Sequence, residues 1–371
     1  MTTAKVSHKT IFYLAAVSLA FYLLFYFWLE PAGKELAPDE AEAARLMVEA
    51  EKEIYNCQEK LGLMPGKNPF DPMKTGLIGL ESSPLTTTLG QLEAKRTTTN
   101  PAMAALLVRL LHQAGVKKGQ VVAAGASGSF PALAVAAYCA ARAMEVKLLV
   151  IVSLGASQWG ANQPDFTWLS IEKCLRQAGF NQHRLLAVTW GGEDDSGREY
   201  PEDLKSRLRQ EAQALGLEFL EPDGLKSMVE THVRLFKEAA GARPVRAFIN
   251  IGGSLVNLGR DSSVLELRPG LTQVKKIPPE NRCGLIQRLA SEGIPVIHLL
   301  NIRGLVERYN LPWDPQPLPQ VDKDLKLQQE DSYKRKLWLL LAVYILACAA
   351  IVIFNRPTQK RDGQLLPGPD L

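Results

Sequence analysis

Two stretches of the chain are apolar without a single charge. Residues 11–29 read IFYLAAVSLAFYLLFYFWL, with Ser18 their one polar side chain besides the tyrosines, and residues 337–354 read LWLLLAVYILACAAIVIF. Each is about the length a helix needs to cross a bilayer at ~1.5 Å per residue. Trp28, Trp338 and the tyrosines near the ends suit the membrane–water interface. A cleaved signal peptide is the other reading of the first stretch. Its run is long, however, and no small-x-small site follows in residues 29–34, so two membrane-spanning helices are expected.

Between these spans the pattern changes. Residues 36–61 form a charged helical stretch with Leu46, Met47, Ala50, Ile54 and Cys57 on one side, expected as a stalk or cover helix; residues 62–84 are broken by Gly and Pro and read as loop. Asn100 and Pro101 are a good cap and first residue for a helix over 102–113, which Gly115 is placed to end. From there strand-length apolar runs alternate with helical ones. Strands are expected at 121–124, 146–153, 184–190, 218–220, 245–251 and 295–300. Helices are expected at 130–144, 166–178, 201–215, 225–240, 281–292 and 304–309. Such alternation predicts an α/β fold, a mostly parallel sheet with helices on both faces, flanked by the N- and C-terminal transmembrane helices.

The expected organisation is a tail (1–10), a span (11–29), a helical stalk and loop (31–84) and an α/β domain (85–312). A proline-rich, charged linker (313–336), the second span (337–354) and a C-terminal tail (355–371) follow. Two spans put both termini on one side. Lys5 and Lys9 before the first span, with Arg356, Lys360 and Arg361 after the second, favour cytoplasmic termini and an extracytoplasmic domain. Lys334, Arg335 and Lys336 argue the other way, but long domains translocate largely regardless of charge.

A net charge of +4, with 22% charged residues and no basic run interleaved with aromatics, excludes nucleic acid as an expected partner. Five cysteines are scattered, with no C-x-x-C and no Cys/His spacing. Buried single thiols are expected, and no metal site.

The strand-to-helix loops carry the candidate chemistry. In a parallel sheet they converge on one crevice. Here they contain Gly125, Ser127, Gly128 and Ser129; Ser157 and Asn162; Gly191, Gly192, Asp194 and Asp195; Gly252, Gly253 and Ser254; and, at the last strand, His298 and Asn301. Small residues let backbone approach a ligand, and hydroxyls and amides supply neutral hydrogen bonds. Tight turns alone would explain one such loop, not four. No G-x-G-x-x-G and no G-x-x-x-x-G-K-[ST] is present, so no nucleotide cofactor is expected. Lys95 and Arg96, between two threonine triplets, supply countercharge for a carboxylate, or else lie on a solvated polar loop.

A hydrolase reading competes with a binding one. Residues 125–129, GASGS, match the nucleophile elbow G-x-S-x-G except at the last position. Ser127, then Asp194 or Asp195, then His298 would complete a triad in hydrolase order. His298 sits inside a buried-strand pattern, PVIHLL, which favours a core histidine over a general base.

Five strings carry a family resemblance: TTTLGQLEAKRTTTNP (86–101), GASGSFPAL (125–133), SLGASQWGANQPDFTWL (153–169), FINIGGSLVNLG (248–259) and PVIHLLNIRGL (295–305). In this order they resemble the poly-γ-glutamate system protein family, over most of residues 80–312. The resemblance implies a membrane-anchored accessory component of bacterial poly-γ-glutamate production or export, with the membrane and the polymer or its synthase subunits as partners. It brings no catalytic residues with it. The ligase step of such systems needs ATP and a P-loop, which this chain lacks, so it does not resemble the polymerase. A serine hydrolase of γ-glutamyl amide bonds acting through Ser127 is the alternative expectation.

Overall fold

The computed structural model describes residues 8–28, 34–63, 65–327 and 330–355. The flanking charges Lys5, Arg356, Lys360 and Arg361 lie outside them. The chain forms two compact units, one of residues 1–33 and 328–371, the other of residues 34–327.

The first unit holds α1 (His8–Trp28) and α12 (Glu330–Phe354), both long and apolar enough to cross a membrane. They pack on each other where Ser18, the polar exception in the first span, meets Tyr344. The two hydroxyls are 2.9 Å apart, and Phe21 stacks obliquely on the same tyrosine with ring centroids 5.3 Å apart. A hydroxyl pair between helices satisfies groups that hydrocarbon would leave unbonded.

The second unit is built on a seven-stranded sheet: β1 (Val121–Ser127), β2 (Lys147–Ser153), β3 (His183–Thr189), β4 (Glu218–Phe219), β5 (Val245–Ile251), β6 (Gly270–Thr272) and β7 (Val296–Leu299). Their spatial order is β6-β7-β5-β1-β2-β3-β4. All neighbours are parallel except β6 and β7. The antiparallel edge strand β6 falls in a segment the sequence left irregular, because three residues are too short for a period-2 pattern to show.

Alternate residues of the strands face opposite layers. Val121, Ala123, Leu149, Ile151, Phe248 and Val296 pack with α8 (Gly224–Ala240), α9 (Leu255–Leu258) and α10 (Leu285–Ser291). Val122, Ala124, Val150, Val152, Ile249 and Ile297 pack with α4 (Ala102–Gln113), α5 (Pro131–Ala143), α6 (Trp168–Gln177), α7 (Glu202–Ala214) and α11 (Ile302–Tyr309). Every residue of β1 is buried, as the central strand of a two-sided sheet must be. Helix α5, PALAVAAYCAARA, is buried nearly all round; its alanines let it lie between the sheet and a further helical layer.

That further layer is the cover helix, one of the two readings expected for residues 36–61, and not a stalk. Helix α2 (Pro38–Lys60) buries Ala43, Ala44, Met47, Ala50 and Ile54 completely in the same core. Arg109 of α4 grips Glu40 of α2 through two 2.8 Å hydrogen bonds. Cys57 of α2 is disulfide-bonded to Cys174 of α6. The expectation of single thiols therefore fails for these two cysteines, whereas Cys139, Cys283 and Cys348 are free. Pairing across 117 positions leaves no trace in cysteine spacing. The expected linker also belongs partly to the domain. Asp314 forms a two-pronged ion pair with Arg96 at 2.7 and 2.5 Å, and Lys326–Leu327 pairs with Lys34–Glu35.

Candidate ligand cavity at the switch point of the sheet

From β1 the chain winds outward through β2, β3 and β4, then returns to place β5 and β7 on the other side of β1. The loops leaving β1 and β5 therefore diverge, and ligands of open α/β sheets bind in the crevice this opens at the carboxyl ends. A cavity of about 660 Å³ lies there. It is lined by Ser127 at the end of β1, Ser153 at the end of β2, Gly191 and Gly192 after β3, Gly253 and Ser254 after β5, and Leu300 and Asn301 after β7. The expected convergence of loops is thus what the fold produces.

The residue at the base of the cavity is Lys95. It sits on α3 (Leu92–Thr98), a helix where the sequence suggested a loop. Threonine-rich segments read as loop because free hydroxyls compete for the backbone. Here the hydroxyls of Thr97, Thr98 and Thr99 donate back to the carbonyls of Glu93, Lys95 and Arg96 at 2.6, 2.7 and 2.8 Å. The helix turns Lys95 inward to 3% exposure. Its Nζ donates to the Ser129 carbonyl, lies 2.6 Å from Ser157 Oγ, and stands 3.8 Å above the Phe130 ring. Among the described residues no carboxylate pairs with it, and burial pulls its pKa from 10.5 down to about 7. Arg96, one residue on, points the other way into Asp314 and does not line the cavity.

Ser127, Ser129 and Ser157 all reach the cavity, with different duties. Ser129 Oγ accepts from the Ser157 amide at 3.0 Å and joins two loops. Ser127 Oγ is buried with no hydrogen-bond partner among the described residues. Gly252, at φ +81°, touches it so closely that a Cβ there would fall on Ser127 Oγ. Gly128 is a packing glycine: its amide donates to the Ser153 carbonyl at 2.8 Å, and an added Cβ would meet the Leu154 carbonyl at 2.7 Å. Gly253 and Ser254 line the cavity, and Ser254 also caps α9.

Asn162 is not a ligand group. It is fully buried, and its amide clamps the 80–86 loop, accepting from the Leu80 amide and donating to the Leu80 carbonyl and Thr86 Oγ1, each at 2.8 Å.

The triad is not assembled. His298 lies on β7, which β5 separates from β1, so its backbone is two strand spacings, roughly 10 Å, from that of Ser127. Its Nδ1 faces Asn250 Nδ2 at 3.1 Å, burial lowers its pKa to about 4, and it does not line the cavity. It is the core histidine its strand pattern suggested. Asp194 is exposed and ion-paired to Arg260. Asp195 is buried and accepts from Thr189 Oγ1 at 2.8 Å and the Gly191 amide at 2.5 Å; burial raises it to about 6. It braces the loop after β3.

Glu193, from the expected loop of residues 191–195, lines the cavity too, and so do Phe130, Arg303 and Trp313, which were not sequence candidates. Arg303 stacks on Trp313, its guanidinium carbon 4.1 Å from the ring centroid, and has no carboxylate partner among the described residues. The signal for Trp313 was present, a lone tryptophan in a proline-rich exit. Its partner lies on a helix that hydrophobic periodicity alone does not place beside it. The fold and cavity together define a doubly wound α/β domain with a cationic, hydroxyl-lined pocket at its switch point. No family model, curated protein or solved structure matches this chain.

Proposed function

We propose that the chain is a membrane-anchored accessory component of bacterial poly-γ-glutamate production or export, whose pocket takes a carboxylate-bearing γ-glutamyl segment. One observation carries the reading: Lys95 and Arg303 line a single cavity without carboxylate partners among the described residues, against one acid, Glu193. Each γ-glutamyl unit offers a carboxylate to such cations and an amide to the Ser254 hydroxyl and to Asn301. The resemblance of the five loop strings to the poly-γ-glutamate system family supports the same assignment.

Chemistry, rather than loop charge, supports the orientation we propose. A disulfide between Cys57 and Cys174 belongs to an oxidising compartment and supports an extracytoplasmic domain held by α1 and α12.

Blocking the pocket tests the function. Ser254→Leu places a branched side chain in the cavity wall and is expected to reduce polymer output to near background, with protein level in the membrane unchanged. Wild-type polymer output from this variant would remove the pocket from the function.

A further inference from the structure

We propose that Ser157 and Lys95 form a nucleophile–base pair that cleaves an amide bond of the ligand held in this pocket, a chemistry distinct from the triad that the fold fails to assemble. The inference rests on the pocket being the ligand site. Its basis is geometric. Ser157 Oγ and Lys95 Nζ are 2.6 Å apart, both residues are buried, and both line the cavity. A neutral amine has one lone pair and two N–H groups. Nζ donates to the Ser129 carbonyl and to Ser157 Oγ; on losing a proton it keeps the first contact through an N–H and turns its lone pair to the Ser157 hydroxyl. Ser157 itself is fixed from behind, its amide donating to Ser129 Oγ at 3.0 Å. Other charged residues lining the cavity are Glu193 and Arg303, and neither is ion-paired to Lys95 among the described residues. A lysine with a pKa of about 7 is largely in its basic form just above neutrality, which a surface lysine is not.

The step balances without a cofactor. Lys95 Nζ takes the hydroxyl proton as Ser157 Oγ bonds to the amide carbon. The carbon–nitrogen bond breaks, and the departing amine leaves with that proton. Water then attacks the ester, giving a proton to Lys95; the ester bond breaks and Ser157 Oγ recovers the proton. Amide and water become carboxylic acid and amine, which together ionise to carboxylate and ammonium.

The test is covalent labelling of the full-length, detergent-solubilised protein with a fluorophosphonate probe, followed by peptide mapping. The expected result is phosphonylation of Ser157, at a rate that rises as pH passes through about 7. Ser157→Ala should not be labelled, and Ser127→Ala should still be labelled at Ser157. Lys95→Met should react about 100- to 10,000-fold more slowly, the usual worth of a general base. No labelling of the wild type, labelling at Ser127 instead, or a wild-type rate in Lys95→Met would overturn the pair. Binding of a γ-glutamyl pentamer, measured separately, keeps the two readings apart. Binding without labelling sinks the catalytic pair alone. Labelling at Ser157 without binding supports the pair and sinks the ligand class.

Discussion

Replacing Lys95 by methionine is expected to make the domain more stable at neutral pH while removing its ligand. In the unfolded chain a lysine titrates near 10.4. Buried in the fold it titrates at about 7, because desolvation disfavours the charged form. Its folded pKa is depressed, so the folded state binds fewer protons than the unfolded state between those values. Stability is fully present above the unfolded value and is lost as pH falls from about 10.5 towards 7. At ~1.4 kcal/mol for each pH unit, the upper bound on this cost at neutrality is about 5 kcal/mol. Methionine keeps the apolar stem of the lysine and removes the charge. Denaturant unfolding of the full-length protein and of Lys95→Met should therefore separate the two at pH 7, with the variant more stable, and bring them together by pH 10. A variant no more stable than wild type at pH 7 would mean that Lys95 is comfortable where it is, and that the pocket holds no charge in waiting.

The second large effect is expected at the bridge between α2 and α6. Cys57 and Cys174 close a loop of 117 positions, and removing a native disulfide costs roughly 2–5 kcal/mol, chiefly through the entropy the unfolded chain regains. The double variant Cys57→Ser, Cys174→Ser should lose that much in denaturant unfolding. Cells quenched in acid and treated with an alkylating agent report the compartment directly. Protection of both thiols until reductant is added is expected for an extracytoplasmic domain. Alkylation of both without reductant would put the domain on the reducing side of the membrane.

What the sequence disclosed followed a physical rule. Elements whose pattern is set by burial were legible: the seven-residue strand β1, the alanine-rich α5 and the amphipathic α4 all reflect the sheet's two covered faces. The crevice was legible because the glycine and serine runs end strands, and parallel strands share a carboxyl edge. Partnerships between distant segments were not. Asn162 looked like a ligand amide, yet it is spent on Leu80 and Thr86. Arg96 looked like the twin of Lys95, yet one residue along a helix turns it about 100° away, into Asp314. The helix carrying both was hidden because its threonines bond inward, which composition cannot show. Helix α2 read as a stalk or a cover because its surface is charged, and its opposite face, which belongs to the core, makes it a cover.

The central claim is that the switch-point pocket binds carboxylate through Lys95. Calorimetric titration of a γ-glutamyl pentamer into the full-length, detergent-solubilised protein tests it most directly, with Lys95→Met and the Ser254→Leu block alongside. Saturable binding by the wild type is expected, and no binding by either variant. Binding that survives in Lys95→Met would contradict it.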